Sequence, residues 1–441
     1  MATVYILILM TALDQMAVSV ALPSISASLG GVRGIAWVIT AFLLASTVVT
    51  PIFGRLGDIY GRPAALTIAI GVFITGAAAG AASNSLSALL VARLVQGAGG
   101  GGLVVLSQSV VADVVPLSER GKYQGYTSIV WAVSSVVGPV IGGLLTAYLS
   151  WRWIFGLNLP LGLIAWYLVR TDLGALRKAQ VRQKVDWPGA AMLFTGVTSL
   201  LIPITLIGEA AGGVSQASAI GLMLAGAMLL LFWRRQGRIE APLLPLTLIK
   251  HPVVILACAL SFVSYLIFVG MCMLVPMRQQ LVAGASIVDA GATLMWMTLT
   301  SAVAVFAGGR WMTRTGKVRP LQRTGAILAV FSLAWLAFSE PTAAWSMTGG
   351  LIILGCALGF QIPTAVLMMQ NSVPRDVVGT ATGLLIFSRA IGGAVGIALL
   401  SALVFSTVPS DASLGGSKGD TNSIQSVSDL GFVIAIGPKL C

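Results

Sequence analysis

Gly54-Arg55-Leu56-Gly57-Asp58-Ile59-Tyr60-Gly61-Arg62 is a short charged stretch, punctuated by glycine, between two apolar runs at 35–53 and 64–82. Each run is close to the roughly 20 residues that a helix needs to cross a bilayer core. A second copy, Gly309-Arg310-Trp311-Met312-Thr313-Arg314-Thr315-Gly316-Lys317, follows a later apolar run at 288–308. Gly, Arg, Gly and a basic residue match in register, and Thr313 stands where the first copy has Asp58. The same mark at the end of two membrane-length runs indicates two related halves in parallel orientation, the layout of a chain with a site at the midplane between repeats.

The rest of the chain agrees on the solvent. Of 441 residues, 57% are hydrophobic and only 9% charged, and mean hydropathy is +0.95. Soluble domains carry about 25% charged residues. In a bilayer only helices or closed barrels satisfy the backbone, and the unbroken runs lack the period-two alternation of barrel strands. We therefore expect an all-α polytopic membrane protein with spans near 3–27, 35–53, 64–82, 87–112, 124–148, 153–170, 187–207, 217–235, 253–277, 288–308, 322–338, 344–367 and 377–406. The first 25 residues lack a basic leader and a small-residue cleavage site, and read as span 1. A fourteenth run begins at Leu430 but meets Gly437-Pro438-Lys439 too soon to cross, so the last helix is expected to be incomplete.

The net charge of +12 does not point to nucleic acid, because the basic residues occupy short loops between spans. With the N-terminus in the cytoplasm, nineteen Lys and Arg fall on inside loops and four (Arg33, Arg152, Arg278 and Lys418) outside. The segment 171–186, with Arg177, Lys178, Arg182 and Lys184, reads as a basic linker on anionic headgroups. The expected division is a six-helix half at 1–170, the linker and two extra helices at 171–249, and a second half at 250–441. The four cysteines show neither metal-ligand nor disulfide spacing, the single histidine (His251) sits in a loop, and no phosphate loop is present. An enzyme and an ATP-driven machine are both excluded as readings, and no metal or cofactor is expected.

Five segments resemble the major facilitator superfamily, and within it the fourteen-span drug:proton antiporters. They are Leu13-Asp14-Gln15 with Ala21-Leu22-Pro23 in span 1, the Gly54–Arg62 stretch, Arg93-Leu94-Val95-Gln96-Gly97 in span 4, Gly138-Pro139-Val140-Ile141-Gly142-Gly143 in span 5, and Trp151-Arg152-Trp153-Ile154-Phe155 with Asn158 and Pro160. The resemblance implies two six-helix halves plus two extra helices, and proton-coupled efflux of small apolar or cationic compounds by alternating access. It also implies a multi-pass monomer in a bacterial plasma (inner) membrane, driven by the proton gradient, with small molecules, protons and lipid as its partners. Proton coupling then falls to Asp14 and Arg93. Gating falls to Gly54, Arg55, Gly57, Asp58, Gly61 and Arg62, and to Gly138, Pro139, Gly142 and Gly143. Alternatives are a dedicated exporter of one endogenous metabolite, lipid or antibiotic, and a non-transporting sensor or inactive fragment. An uptake symporter is disfavoured by the span-5 motif.

The residues carry their own physics. An ionised Asp14 in mid-span is costly unless paired or solvated, which suits either a group that gains and loses a proton or a carboxylate capping a neighbouring helix. Arg93 stays charged; it either biases a carboxylate or a bound substrate, or bonds backbone carbonyls. Ser134, Gly138, Gly142 and Thr146 make a small-residue face on span 5, and Pro139 frees the Ser135 carbonyl and bends the helix. Gly57 and Gly61 allow a tight turn, and Asp58 suits the N-terminus of span 13, which begins near Asp376. Arg389 reads as structural, and Asp289 as a solvated or capping residue first and a second titrating site after that. A substrate cavity is assigned to Gln15, Gln96, Gln279, Gln280 and Trp296; Met271, Met273, Met277, Met295 and Met297 near the last three suit an adaptable lining, core packing or lipid contact.

Overall fold

The computed structural model describes residues 1–29, 35, 37–116, 119–174, 185–209, 216–239, 242–281, 287–338 and 344–407. These form α1 (Ala2–Leu29), α2 (Trp37–Tyr60), α3 (Arg62–Ala81), α4 (Leu86–Val114), α5 (Arg120–Tyr148), α6 (Arg152–Asp172), α7 (Trp187–Glu209), α8 (Gln216–Gln236), the single turn α9 (Leu246–Ile249), α10 (Pro252–Leu281), α11 (Ile287–Thr315), α12 (Arg319–Phe338), α13 (Ala344–Ser372) and α14 (Val378–Thr407). Among the described residues there is no strand, and eleven helices are long and apolar enough to cross a membrane. The chain is a multi-pass membrane protein. The unfinished last run, Arg33, Lys418 and the basic residues Arg177, Lys178, Arg182 and Lys184 lie outside the described residues.

All thirteen expected spans are helices, and each runs past its apolar stretch at one end or both. Hydropathy registers only the part of a helix in hydrocarbon, whereas the backbone ladder continues wherever its bonds can form. This corrects the reading of Gly54–Tyr60 as a loop: these residues are the last turns of α2. Gly57 is therefore helical, and its closeness to Leu106 and Arg62 explains the missing side chain. Gly61 alone turns the chain, at φ 88°, and Pro63 follows in the first turn of α3. Gly316 does the same after α11, at φ 66°. The two copies of the repeat thus end their helices alike, while Thr313 only bonds back to the Gly309 carbonyl at 2.9 Å.

By contacts the chain divides into two compact units, Met1–Thr198 with Ala225–Leu256 and Met368–Phe387, and Ser199–Leu224 with Ala257–Leu367 and Ser388 onward. In the first unit α4 lies against both α2 and α3. Its glycines permit this: a Cβ at Gly97 or Gly101 would enter the Phe42 or Ser46 carbonyl of α2, and one at Gly99 would enter the Phe73 backbone of α3. Asp186 caps α7 through the Gly189 N–H at 3.0 Å and ties it to the end of α8, accepting from Arg235 at 2.9 Å and Gln236 at 3.0 Å. The second unit has an apolar core built around Leu274, Met297, Leu336, Leu351 and Leu358.

Candidate functional site

The first unit encloses a polar cluster at membrane depth. Asp14 on α1 and Arg93 on α4 have side chains only 0% and 1% exposed, and Arg93 Nη1 donates to Asp14 Oδ2 at 2.6 Å. Gln96, one turn further along α4, donates to Asp14 Oδ1 at 2.9 Å, and Asn158 on α6 donates to the same oxygen at 2.7 Å. Arg93 spends its other donors on the Gln96 side-chain oxygen at 2.8 Å and the Val38 carbonyl at 3.1 Å, with the Phe42 ring 4.3 Å away. Both readings of Arg93 hold together: it bonds a backbone carbonyl and it pairs with a carboxylate. Neutralisation by Arg93 and three charge-assisted hydrogen bonds make an ionised Asp14 tolerable here.

Asp14 also adjoins a cavity of about 10 Å³, lined by α1, α5 and α6 and including Gly138 and Asn158. That is room for about one water. The small face of α5 meets α1 beside it. A Cβ at Gly138 would stand 2.5 Å from Met16 Cβ, and one at Gly142 would stand 2.6 Å from the Ala17 carbonyl oxygen. Ser134 is buried on this face, whereas Gly143 faces open space and takes no part in the contact. Pro139 lies inside α5, and the Ser135 hydroxyl turns back to the Ala132 carbonyl at 2.7 Å.

A second cluster joins the end of α2 to the start of α14. Asp58 Oδ1 accepts from the Gly379 N–H at 2.9 Å, and Oδ2 accepts from the Thr380 N–H at 2.7 Å and its hydroxyl at 2.6 Å. A carboxylate on free N–H groups at a helix start is doubly favoured, by hydrogen bonding and by the dipole. Arg62 pairs with Asp58 at 2.7 Å and with Asp113 at 2.8 Å. Gly54 lets α2 come against Gly379, and Arg55 is buried beside this latch. Arg120 on α5 adds a bond to Asn371 at 2.9 Å. Asp58→Ala strips these acceptors from α14 and leaves Arg62 half-paired. It is expected to destabilise the protein by about 3 kcal/mol, read as a lowered thermal midpoint in detergent, with Asp58→Asn milder because its amide oxygen still accepts.

The proposed cavity residues are divided between the two units. Gln96 belongs to the Asp14 network, and Gln15 is half-buried outside it. Gln279 bonds the Thr293 hydroxyl at 3.5 Å and the Met347 sulfur at 3.3 Å, in the second unit. Met271 and Met297 are core, Met295 and Trp296 are exposed on α11, and the side chains of Met273, Met277, Gln280 and Asp289 lie outside the described residues. Asn158 is not among the expected site residues; its signals are its place in the Trp151–Pro160 motif and its being a lone amide in an apolar run.

The sequence profile of the Major Facilitator Superfamily matches residues 4–397. The chain belongs to this superfamily. It is 33% identical over 408 residues to the efflux pump FUS6 of Gibberella moniliformis, covering 89% of this chain and 71% of that protein. It is 29% identical over 440 residues to multidrug resistance protein 3 of Bacillus subtilis, covering 98% and 85%. The proton:xylose symporter XylE shares the fold with a TM-score of 0.63 at 14% identity, over 99% of this chain and 93% of that one. The protein is thus a membrane transporter of small molecules, not an enzyme.

Proposed function

We propose that this transporter exports small apolar or cationic compounds in exchange for protons, by alternating access, from a bacterial plasma membrane with its N-terminus in the cytoplasm. It works as a monomer without a cofactor, the proton gradient being the drive. The observation that carries this reading is the Asp14 carboxylate, sealed at membrane depth against Arg93, Gln96 and Asn158 beside a water-sized cavity. Protonation of Asp14 discharges the anion that holds Arg93. The guanidinium is then left to the Gln96 oxygen and the Val38 carbonyl, and α1 is freed to shift along the smooth face of α5. The Asp58 latch closes the cytoplasmic ends in one state and parts in the other. Relatives named as efflux and multidrug-resistance proteins support the outward direction.

The test uses the purified chain in inverted vesicles with an inside-acid gradient and fluorescent cationic, neutral and anionic lipophilic dyes. Uptake that collapses on adding a protonophore is the expected result. Gradient-independent uptake would remove the proton from the reading, and no uptake of any dye would remove broad export.

A further inference from the structure

Arg389 on α14 belongs to the second unit and is 8% exposed. Its Nη2 donates to the Ile362 carbonyl at 2.9 Å, and its guanidinium lies 5.3 Å from the centre of the Tyr265 ring. Its Nε is buried without a hydrogen-bond partner among the described residues. The ion pairs among those residues, Asp58–Arg62, Asp113–Arg62, Asp14–Arg93 and Asp186–Arg235, leave Arg389 out. The second unit has no acidic side chain among its described ones. Arg93 is the contrast: also buried, it has a carboxylate at 2.6 Å.

An arginine keeps its charge at any accessible pH, and an unpaired charge at membrane depth marks a functional group by default. A second orphan donor lies close by. The Ser261 hydroxyl is buried without a partner among the described residues, one turn before Tyr265 on the same face of α10. The nearby Gln361 side-chain oxygen is already taken by Ser264 at 2.7 Å. The guanidinium also hydrogen-bonds the Tyr265 side chain, which leaves Nε and the Ser261 hydroxyl as the donors without acceptors among the described residues, and such donors beside a planar guanidinium suit a carboxylate or a similar oxyanion. Arg389 stands eleven residues into α14, about 16 Å along the axis, which is roughly half the thickness of the hydrocarbon core. That depth favours a solute over a lipid headgroup.

We propose that Arg389, with Ser261 and Tyr265 beside it, binds the single acid group of otherwise apolar substrates. The inference rests on the export reading and extends its substrate class: beside apolar and cationic compounds, Arg389 admits apolar bodies that carry an anion. The experiment is equilibrium binding to the purified full chain in detergent, without a gradient, using radiolabelled 1-naphthoate, 1-naphthamide and 1-naphthylmethylammonium. Wild type is expected to bind the carboxylate roughly tenfold or more tightly than the amide, the effect of one charge-assisted contact. Arg389→Gln is expected to erase that preference without weakening the ammonium probe, and to unfold no more easily than wild type, because it removes a buried charge that has no carboxylate partner among the described residues. Arg389→Lys keeps the charge but loses the planar fork, and is expected to lose part of the preference; it carries the test should Arg389→Gln not fold. Equal binding of carboxylate and amide by wild type, an unchanged preference in the variants, or a destabilised Arg389→Gln overturns the proposal. Because binding is read without a gradient, failure of proton-driven export leaves this result standing, and export without anion preference sinks this inference alone.

Discussion

Asp14→Asn is expected to reduce gradient-driven uptake in inverted vesicles to the level of protein-free vesicles. The substitution keeps the shape of the side chain and removes its titration. It also reverses one of its contacts. Asp14 accepts from Arg93, Gln96 and Asn158, and an asparagine amide turns one acceptor into a donor, so some N–H faces another N–H whichever way it flips. Arg93 is left without its counter-charge in a site 1% exposed. Breaking a buried pair from one side costs about 3–5 kcal/mol, so misfolding has to be separated from loss of coupling. A double-mutant cycle does this. Arg93→Gln alone strands the carboxylate, whereas Asp14→Asn with Arg93→Gln leaves a neutral hydrogen-bonded cluster. The double variant is expected to unfold at a higher temperature than either single variant and still to show no gradient-driven flux. Flux regained in the double variant would move the proton to another group.

The sequence carried the membrane class, the thirteen spans and the repeat because each depends on composition or on spacing along the chain. It did not carry the azimuth of a helix, and the functional cluster depends on azimuth. Asp14 and Arg93 are 79 residues apart, and nothing in their local runs says that they meet. Asn158 is less visible still: a single amide in an apolar helix reads as tolerated polarity until the fold sets it on Asp14 Oδ1. Asp58 was easier to place, since a helix beginning near Asp376 offers free N–H groups and a carboxylate seeks them. Gly57 failed for the opposite reason. A glycine in a charged stretch suggests a turn, yet α2 continues through it because its small size serves Arg62 and Leu106 and not the backbone. Gln279 and Trp296 looked like partners by nearness in sequence, but one packs on Met347 and the other is exposed.

The glycines of α5 give the second large effect, and a test of which of them matter. Gly142→Val is expected to abolish uptake and lower the thermal midpoint, while Gly143→Ala leaves both unchanged. A Cβ at Gly142 stands 2.6 Å from the Ala17 carbonyl oxygen and 2.8 Å from its Cα. Both atoms are backbone and cannot rotate away, so α1 has to move. Overpacking of this kind costs about 1–3 kcal/mol, and the displacement reaches further than the contact itself. Ala17 lies one turn from Asp14. A shift of α1 by even about 1 Å spoils catalytic-grade geometry, and here it stretches bonds of 2.6, 2.7 and 2.9 Å to Arg93, Asn158 and Gln96. Gly143, one residue on, points into open space, and alanine there gains up to about 1 kcal/mol of helix propensity. The motif letters treat the two glycines alike, whereas the packing does not. Equal effects of the two substitutions would mean that the α1–α5 contact is not what positions Asp14.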